Sequence, residues 1–557
     1  MRRLDDILES TVRSCMGEGL LKEMPVPDHV IETPNRADHG HFATNLPLAM
    51  AKGQRRAPME IANIIAEHID RSGNFLSRVE AAPPGFVNFW ISPEQWHGVL
   101  SDIVAQGKDY GGSERGNGKK VLVEFVSANP TGPLHLGHGR GAAVGDTLCR
   151  ILSFCGFDVI REFYINDAGR QIQLLGESVY ARFMQAANPE YEFPEQGYRG
   201  DYIADLAESL SEETALDTLP ERDAVETCAR MGKKKMLAEI KSDLGRFRVD
   251  FDVWYPESEL FASGALDKTL ADARDKGQLF EHDGALWIRT SEFGDDKDRV
   301  IQKSDGQYTY FASDISYHLD KKRRRVDRAI NIWGADHHGY IPRVKAALSS
   351  FGFPKDWLAV MLIQLVKLFK DGREIKMSKR AGSYVTLNEL IDEVGIDAVR
   401  FVFLTKSHES PLDFDMDLVT RQDSDNPVYY VQYAHARICS IFRKADREGL
   451  IRQTSEPAPL GRLELDEEMA LIRHMAAFPS LVDDIAETLE PHRLTYYLSD
   501  LAAGFHRYFN LGNKDPKCRV IAPDREASLA RLELARAVRT VVANGLNLLG
   551  VSAPERM

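Results

Sequence analysis

Two histidines follow a short apolar run, in the order His135-Leu-Gly137-His138. The run, residues 120–126, predicts a buried strand of a parallel sheet, and a helix is predicted from about Gly137 onward. A helix N-terminus favours phosphate because its N–H groups and macrodipole attract negative charge. Imidazoles can donate hydrogen bonds to phosphoryl oxygens, and glycine lets a ligand approach the backbone closely. The motif therefore indicates a phosphate site, with a turn carrying two surface histidines as the alternative.

A second candidate phosphate motif, Lys376-Met377-Ser378-Lys379, lies roughly 240 residues later. Glycines stand on both sides of it, which is typical of a loop. Two lysines three positions apart can both reach one polyphosphate. Taken alone, the motif fits a solvated basic loop equally well.

The segments around these motifs alternate between strand and helix patterns. Besides residues 120–126, strands are predicted at 159–164, 329–333 and 358–365. The alternation predicts an α/β domain with a parallel sheet, residues 118–420, whose ligands should bind at the carboxyl ends of the strands. A polar, charged stretch at about 195–260 indicates an insertion into this domain.

Different patterns flank the α/β domain. Residues 1–112 combine helical spacing at 58–69 with an alternating strand pattern at 85–91, which predicts a small α+β domain. A stretch rich in glycine and polar residues, 111–118, is typical of a linker. After the α/β domain the strand patterns end, and residues 425–557 are predicted to form an all-helical bundle.

The composition, 43% hydrophobic and 28% charged over 557 residues, is typical of a soluble globular protein. The net charge of −14 argues against a nucleic-acid partner only at first sight. Residues 426–557 contain 17 basic and 17 acidic side chains, so the acidic excess lies in the first 425 residues. Because local patches can bind a polyanion on a negatively charged protein, the total excludes no class of partner.

The six cysteines form no Cys-x-x-Cys pair, which indicates neither a zinc site nor a disulfide framework. The most apolar stretch, residues 357–369, is interrupted by Gln364 and Lys367 and falls short of the about 20 residues that span a bilayer. The first residues lack the apolar region of a signal peptide. These features predict a cytoplasmic protein without a membrane partner.

The two motifs together resemble the signature of class I aminoacyl-tRNA synthetases, departing from the usual second motif only at Arg380. Three blocks are similar to those of arginyl-tRNA synthetases: residues 124–141 (EFVSANPTGPLHLGHGRG), 164–171 (YINDAGRQ) and 426–437 (NPVYYVQYAHAR). The resemblance covers essentially the whole chain in order. It implies a Rossmann-type catalytic domain, an N-terminal tRNA-binding domain on the D-loop side and a C-terminal anticodon-binding domain.

The resemblance implies an ATP-dependent ligase that activates L-arginine to arginyl-adenylate and transfers it to the 3′-terminal adenosine of tRNA(Arg). It also implies a monomer that needs tRNA for activation and uses Mg²⁺ bound to ATP, with no metal site on the protein. A non-catalytic tRNA-binding paralogue is the alternative, although the phosphate-binding His and Lys residues that it would lose are present. A nucleotidylyltransferase would share the first motif but would be shorter and lack the helical bundle.

The resemblance also implies a role for individual side chains of the catalytic domain. Stabilisation of phosphate charge falls to His135, His138, Lys376 and Lys379. Binding of ATP falls to Pro133, Gly137, His138, Gly334, Asp336, His337, Met377 and Ser378. Binding of arginine falls to Glu124, Ser127, Asn129, Tyr310, Asp314 and His338.

Chemistry supports part of this assignment. Carboxylates are the best match for a planar guanidinium fork, and Tyr310 and Asp314 share one face of a helix if their segment is helical. Glu124 lies in an apolar strand, where a carboxylate without a partner is costly; this favours a functional role over an outward-facing acid. Which of His337 and His338 contacts substrate stays open. The Asp-His-His sequence there would suit a metal site only with a further ligand.

For tRNA, the resemblance implies contacts by Phe86, Asn88, Tyr430, Tyr433, Arg437, Tyr508 and Met557. Tyr430, Tyr433 and Arg437 fall on one helix face, and RNA loops are read by aromatic stacking and hydrogen bonds. Aromatic stripes on helices usually belong to a core, so a packing role is the alternative, as it is for Phe86. The basic runs 233–235 and 321–325 are candidate phosphate contacts, with solvated surface an equal alternative.

Overall fold

The computed structural model describes residues 2–34, 36–71, 73–167, 169–375, 385–450 and 458–557. Contacts within the chain divide it into two compact units. The first contains Met1–Gln106, Ala445–Ala476 and Tyr508–Ala537. The second contains Gly107–Lys444, Ala477–Arg507 and Val538–Met557. Each unit therefore includes part of the C-terminal helical region.

The first unit combines helices with a small antiparallel sheet. Its strands lie in the order Ile31–Glu32, Phe42–Thr44, Phe86–Ile91 and Leu76–Ala82. Its N-terminal helices are Arg2–Gly17, Leu46–Gln54, Pro58–His68 and Pro93–Gln106. Leu4, Leu8 and Val12 are buried at helical spacing, and Pro58 begins its helix at the position where a missing N–H costs no hydrogen bond. The predicted α+β character of the N-terminal region is confirmed.

A five-stranded parallel sheet lies at the centre of the second unit. Its strands lie in the order Leu358–Ile363, Arg328–Gly334, Lys120–Glu124, Asp158–Ile165 and Val253–Pro256. One core cluster joins Leu122 and Ala329 of the sheet to Leu319 and Leu348 of two helices. Because helices cover a parallel sheet, its strands read as apolar runs. The strand Val253–Pro256 falls inside the range 195–260 that the sequence assigns to the insertion.

Helices connect and follow the strands of the second unit. They are Leu136–Phe154, Arg170–Ala187, Asp201–Glu213, Glu221–Arg246, Ser258–Ala262, Ala265–Asp275, Tyr310–Arg323, Ile341–Ser350, Leu387–Val394, Ile396–Phe403 and Met416–Val419. Two three-stranded sheets accompany them, one with the order Arg299–Gln302, Ala285–Ile288, Leu279–His282 and one with the order Arg373–Ile375, Val366–Lys370, Leu412–Asp415.

The C-terminal region is helical, as predicted. Its helices are Pro427–Arg447, Asp466–Ala476, Phe478–Thr488, His492–Lys514 and Arg525–Leu548. The described residues after Asp415 contain no strand. Across the described ranges, no helix is both long and apolar enough to cross a membrane.

The order of the strands creates a crevice at one edge of the parallel sheet. From the central strand Lys120–Glu124 the chain continues to Asp158–Ile165 on one side, and only later to Arg328–Gly334 on the other. The connection that leaves Lys120–Glu124 and the connection that leaves Arg328–Gly334 therefore run towards opposite edges of the sheet. This reversal opens a ligand-binding crevice at the carboxyl ends of the two strands. The α/β, Rossmann-type prediction is confirmed.

Candidate functional site

The segments that leave the strands bring most of the predicted site residues to this edge. Residues 125–138 follow Lys120–Glu124, Asp167 follows Asp158–Ile165, Glu257 follows Val253–Pro256, and residues 335–338 follow Arg328–Gly334. Parallel strands align all these ends on one side of the sheet. The crevice can therefore collect side chains that are distant in sequence.

The central strand ends at Glu124, two residues earlier than predicted. Val126 and Ser127 have positive φ angles of 67° and 40°, a region that residues other than glycine rarely adopt. The hydroxyl of Ser127 donates to Glu124 at 3.3 Å and accepts from the backbone N–H of Tyr164 at 3.2 Å. Strained backbone of this kind clusters at functional sites. The turn thus links Ser127 to two neighbouring strands.

The two histidines of the first motif cap the helix Leu136–Phe154. The N–H of Gly137 donates to Nδ1 of His135 at 3.1 Å, and the N–H of His135 donates to Nδ1 of His138 at 3.3 Å. Their rings stack with centroids 3.7 Å apart. Because each Nδ1 accepts a hydrogen bond, each neutral ring carries its proton on Nε2. The pair can therefore donate Nε2–H groups to an anion at the positive end of the helix.

The second motif, Lys376 to Lys379 with Met377 and Ser378 between them, lies outside the described residues. The chain before it ends in the strand Arg373–Ile375. After it, Thr386 pairs with His135 across an isolated bridge, and the N–H of Leu387 donates to the carbonyl of Leu134 at 2.8 Å. Thr386 and Leu387 therefore lie beside the histidine pair.

Glu124 is buried in an internal ion pair that sequence reasoning missed. Lys321 donates to Glu124 at 2.6 Å and to the side-chain oxygen of Asn331 at 3.0 Å. Both predictions for the run 321–325, a phosphate contact and a solvated surface, are wrong for Lys321, which is 0% exposed. A buried carboxylate needs such a partner, but this one stands 197 positions away in sequence. Glu124 is therefore neutralised within the protein.

The network continues from Lys321 to the helix that carries Asp314. Asn331 donates to Nε2 of His318 at 3.0 Å, and Nδ1–H of His318 donates to the carbonyl of Asp314 at 2.8 Å. Burial, and then the charge of Lys321, lower the pKa of His318 to about 3, so the ring is neutral and can accept from the amide. These bonds fix the position of Asp314 relative to the central strand.

Tyr310 and Asp314 lie one turn apart on the helix Tyr310–Arg323, as their spacing predicts. Tyr310 is 72% exposed, whereas Asp314 is half-buried and accepts a hydrogen bond from the hydroxyl of Tyr340. Burial raises the pKa of Asp314 to about 7, and the charges of Glu124 and Glu257 act in the same direction. The pocket therefore places excess negative charge around Asp314.

Glu257 is a second residue that sequence reasoning missed. It is 6% exposed, and burial raises its pKa although hydrogen bonds from Ser313 and Tyr164 oppose the shift. Burial, followed by the charges of Glu257, Asp314 and Glu124, also raises the pKa of Tyr164. Three carboxylates thus converge around one tyrosine. The sequence signal that could have indicated Glu257 is the four-residue strand before it, which is hard to recognise within a polar segment.

Asn129 lies in the turn that follows the central strand Lys120–Glu124. Its amide donates to Gln171 at 2.6 Å. Pro133 stands between Asn129 and the histidine pair in the same turn, and both residues are half-buried. The turn can therefore present a polar side chain and an open backbone to a ligand.

The turn after Arg328–Gly334 is exposed. A Cβ at Gly334 would lie 2.5 Å from the carboxylate of Asp336, so glycine leaves room for that side chain. Asp336 also lies 3.7 Å from Nε2 of His337. Asp336, His337 and His338 are all exposed, and the described part of the chain contains no group of three side chains that could hold a metal. The acid is thus available to a polar ligand.

Tyr430, Tyr433 and Arg437 form one cluster with His506 in the second unit. Arg437 donates to the hydroxyl of Tyr433 at 2.9 Å and stands 4.4 Å from its ring. The ring of His506 lies 4.6 Å from that of Tyr430 and 5.9 Å from that of Tyr433. All three predicted residues are half-buried, so each combines packing with an accessible surface.

The other predicted tRNA contacts differ in exposure. Met557 is 53% exposed and Phe86 is half-buried. Asn88 is 5% exposed within the small sheet, and Tyr508 is 0% exposed and donates to Glu468 at 3.2 Å. The predicted tRNA contacts at Asn88 and Tyr508 are therefore wrong: both side chains are buried and have packing roles. The sequence pattern identifies the strand that holds Asn88 and the helix that holds Tyr508. It does not show which face of each is buried against other residues.

Three family models match the chain: arginyl tRNA synthetase N terminal domain over residues 3–91, tRNA synthetases class I (R), catalytic domain, over 99–411, and DALR anticodon binding domain over 431–557. A relative from Desulfosudis oleivorans, named arginine–tRNA ligase, is 48% identical over 100% of this chain and 99% of its own. One of the same name from Bacillus subtilis is 44% identical over 100% and 99%. The arginyl-tRNA synthetase structure of Thermus thermophilus is 24% identical, covers 100% of both chains with a TM-score of 0.79, and shares the fold.

Proposed function

The chain belongs to the class I arginyl-tRNA synthetases, and on that premise we propose that it attaches L-arginine to tRNA(Arg) in two steps at this crevice. First, the arginine carboxylate attacks the α-phosphate of ATP, so that arginyl-adenylate forms and pyrophosphate leaves. The 2′-hydroxyl of the terminal adenosine of the tRNA then attacks the carbonyl of arginyl-adenylate, so that the arginyl ester forms and AMP leaves. No side chain needs to act as a nucleophile, so the protein contributes positioning and electrostatic stabilisation.

The convergence of three carboxylates carries this proposal. Asp314 and Tyr310 hold the guanidinium, with Glu257 and the Lys321-paired Glu124 next to them. A planar cation with several N–H donors matches such a group of carboxylates. Ser127, Asn129 and His338 take the amino-acid head. An amino acid without a positive side chain leaves the carboxylates unpaired, which supports strong rejection of neutral analogues.

The histidine pair takes the phosphates of ATP. His135 and His138 donate Nε2–H groups to the phosphoryl oxygens on which charge develops, and Lys376 and Lys379 act with them. The backbone at Pro133 and Gly137 lies against the nucleotide, and we also assign Met377 and Ser378 to ATP binding. Gly334, Asp336 and His337 take the ribose, with the exposed carboxylate accepting from its hydroxyls.

Mg²⁺ bound to ATP would neutralise phosphate charge when present. We expect ATP itself to hold this ion and assign no protein residue to it. The protein's own contribution to the reaction then lies in the histidines, the two lysines and the carboxylate pocket.

We assign tRNA contacts to the Tyr430, Tyr433, Arg437 cluster, to Met557 and to Phe86. Half-buried aromatic rings beside an arginine suit an unstacked base, because the ring face stacks and the guanidinium reaches phosphate. The protein is proposed to act as a monomer in the cytoplasm; light scattering after size-exclusion chromatography measures the oligomeric state.

The test is ATP–pyrophosphate exchange with arginine, citrulline or lysine, with and without tRNA(Arg). The expected result is exchange with arginine only, dependent on tRNA. Exchange with arginine in the absence of tRNA would keep the reaction but refute the tRNA requirement. A folded sample without exchange under any condition would favour the non-catalytic tRNA-binding alternative.

A further inference from the structure

Two helices of the insertion, Asp201–Glu213 and Glu221–Arg246, have no part in the chemistry above, although they contact three segments of the crevice. These two helices share a core with Arg170–Ala187. The packing is close, since a Cβ at Gly176 would lie 2.5 Å from the carbonyl oxygen of Val225. A closely packed core is hard to compress, so a residue anchored in it keeps its position. The insertion can therefore act as a firm support.

The first contact comes from Tyr202. Its hydroxyl donates to the backbone carbonyl of Thr131 at 2.9 Å. Thr131 lies in the turn between Asn129 and Pro133, which the proposed function assigns to arginine and ATP. A Cβ at Gly132 would lie 2.9 Å from the same hydroxyl, so the turn and the tyrosine fit closely. Tyr202 thus holds the turn from outside the crevice.

The second contact comes from Lys233, which the sequence marked as a candidate phosphate contact. Its ammonium group lies 3.2 Å from the carboxylate of Asp167. Asp167 in turn accepts from the N–H and the hydroxyl of Ser258, both at 2.9 Å. Ser258 directly follows Glu257, one of the three pocket carboxylates. The insertion is therefore linked by hydrogen bonds to the residue next to the arginine pocket.

The third contact lies at the end of the insertion. Arg246 donates to Asn388 at 3.1 Å and pairs with Asp392, and Asn388 donates to Asp243. Asn388 belongs to the helix Leu387–Val394, whose first residues lie beside the histidine pair. The two helices together thus contact the turn before the histidines, the loop beside the carboxylates and the helix Leu387–Val394.

We propose that Tyr202 and Lys233 are positioning residues, through which the insertion holds the turn at Thr131 and the loop at Asp167 in the geometry that the reaction needs. This inference rests on the proposed function. Neither residue is assigned to substrate. Loss of one neutral hydrogen bond corresponds to a change of about fivefold in an equilibrium or rate constant. Misplacement of a substrate-holding segment can lower the rate up to about 100-fold.

The first test is Tyr202→Phe, which removes one hydroxyl and keeps the ring. Tyr191→Phe is the matched control, because the Tyr191 hydroxyl donates to Glu221, the first residue of the helix Glu221–Arg246, at 2.8 Å. We expect Tyr202→Phe to lower kcat of pyrophosphate exchange at least about fivefold at an unchanged melting temperature, and Tyr191→Phe to leave kcat unchanged. Unchanged kcat and KM in Tyr202→Phe, or an equal loss in Tyr191→Phe, would overturn the role of Tyr202.

The second test is Lys233→Met, with Lys234→Met as control because Lys234 is the exposed neighbour on the same helix. Removing a positive charge near the pocket should, by electrostatics alone, lower KM for a cationic substrate. A positioning role predicts the opposite, a rise in KM for arginine of about fivefold, reversed by Lys233→Arg. A lower or unchanged KM in Lys233→Met would refute the positioning role of Lys233.

Different results would overturn the proposed function and the positioning role. If the wild-type chain shows no arginine-dependent exchange, the proposed function falls, and the inference falls with it. If the wild-type chain is active but Tyr202→Phe and Lys233→Met keep wild-type kinetics, only the inference falls.

Discussion

Binding of arginine is expected to weaken as the pH falls through about 7. Asp314 must be ionised to pair with a guanidinium, and burial together with the charges of Glu124 and Glu257 raises its pKa to about 7. The charge of Lys321 and the hydrogen bond from Tyr340 act in the opposite direction. The free pocket therefore holds a mixture of protonated and ionised Asp314 near neutral pH.

The size of the effect follows from one titrating group. With a pKa of about 7, the ionised fraction is roughly one tenth at pH 6 and roughly nine tenths at pH 8. If only the ionised form binds arginine, the apparent KM for arginine should be about tenfold higher at pH 6 than at pH 8. Because the pKa of Asp314 is raised, the free pocket favours the protonated acid. Binding of the cation favours the ionised form and lowers this pKa.

The measurement is KM for arginine in pyrophosphate exchange at saturating ATP and tRNA, from pH 6 to pH 8. Tyr340→Phe removes a hydrogen bond that favours ionised Asp314, so the midpoint should move to higher pH. Asp314→Asn should remove the pH step and raise KM about 100-fold, because a charged pair is lost. A KM that stays constant between pH 6 and pH 8, or a Tyr340→Phe midpoint that moves to lower pH, would refute the reasoning.

Three further predictions concern other parts of the protein. His138→Ala should lower kcat about 100-fold or more at an unchanged melting temperature; retained turnover would remove it from the phosphate site. Lys321→Met should lower the free energy of unfolding by about 3–5 kcal/mol, because Glu124 would be left buried and unpaired, and adding Glu124→Gln should recover part of that loss in denaturant titrations. Tyr433→Ala should raise KM for tRNA several-fold and leave KM for arginine unchanged; a fall in the melting temperature with normal tRNA kinetics would instead assign Tyr433 to the core.

The sequence predicted those features that depend on local pattern. The histidine pair at the start of its helix and the spacing of Tyr310 and Asp314 needed only neighbouring residues. The partner of Glu124 did not, because Lys321 belongs to a run whose charges resemble solvated surface. The tRNA contact predicted at Tyr508 was wrong for a related reason. A helical aromatic pattern does not show that the side chain is buried or that its hydroxyl donates to Glu468. Long-range pairing decides such positions, and a single sequence does not display it.

Charge balance in the pocket makes a last prediction about selectivity. Glu124, Asp314 and Glu257 are three carboxylates, and Lys321 is the buried cation that the described network sets against them. The pocket without substrate therefore carries uncompensated negative charge, which adds to the effect of burial in raising the pKa of Asp314. A guanidinium restores the balance and satisfies several acceptors at once, whereas citrulline has nearly the same shape but no charge. Citrulline should thus bind at least about 1,000-fold more weakly than arginine, and a competition assay of pyrophosphate exchange that finds comparable affinity would show that shape, not charge, selects the substrate.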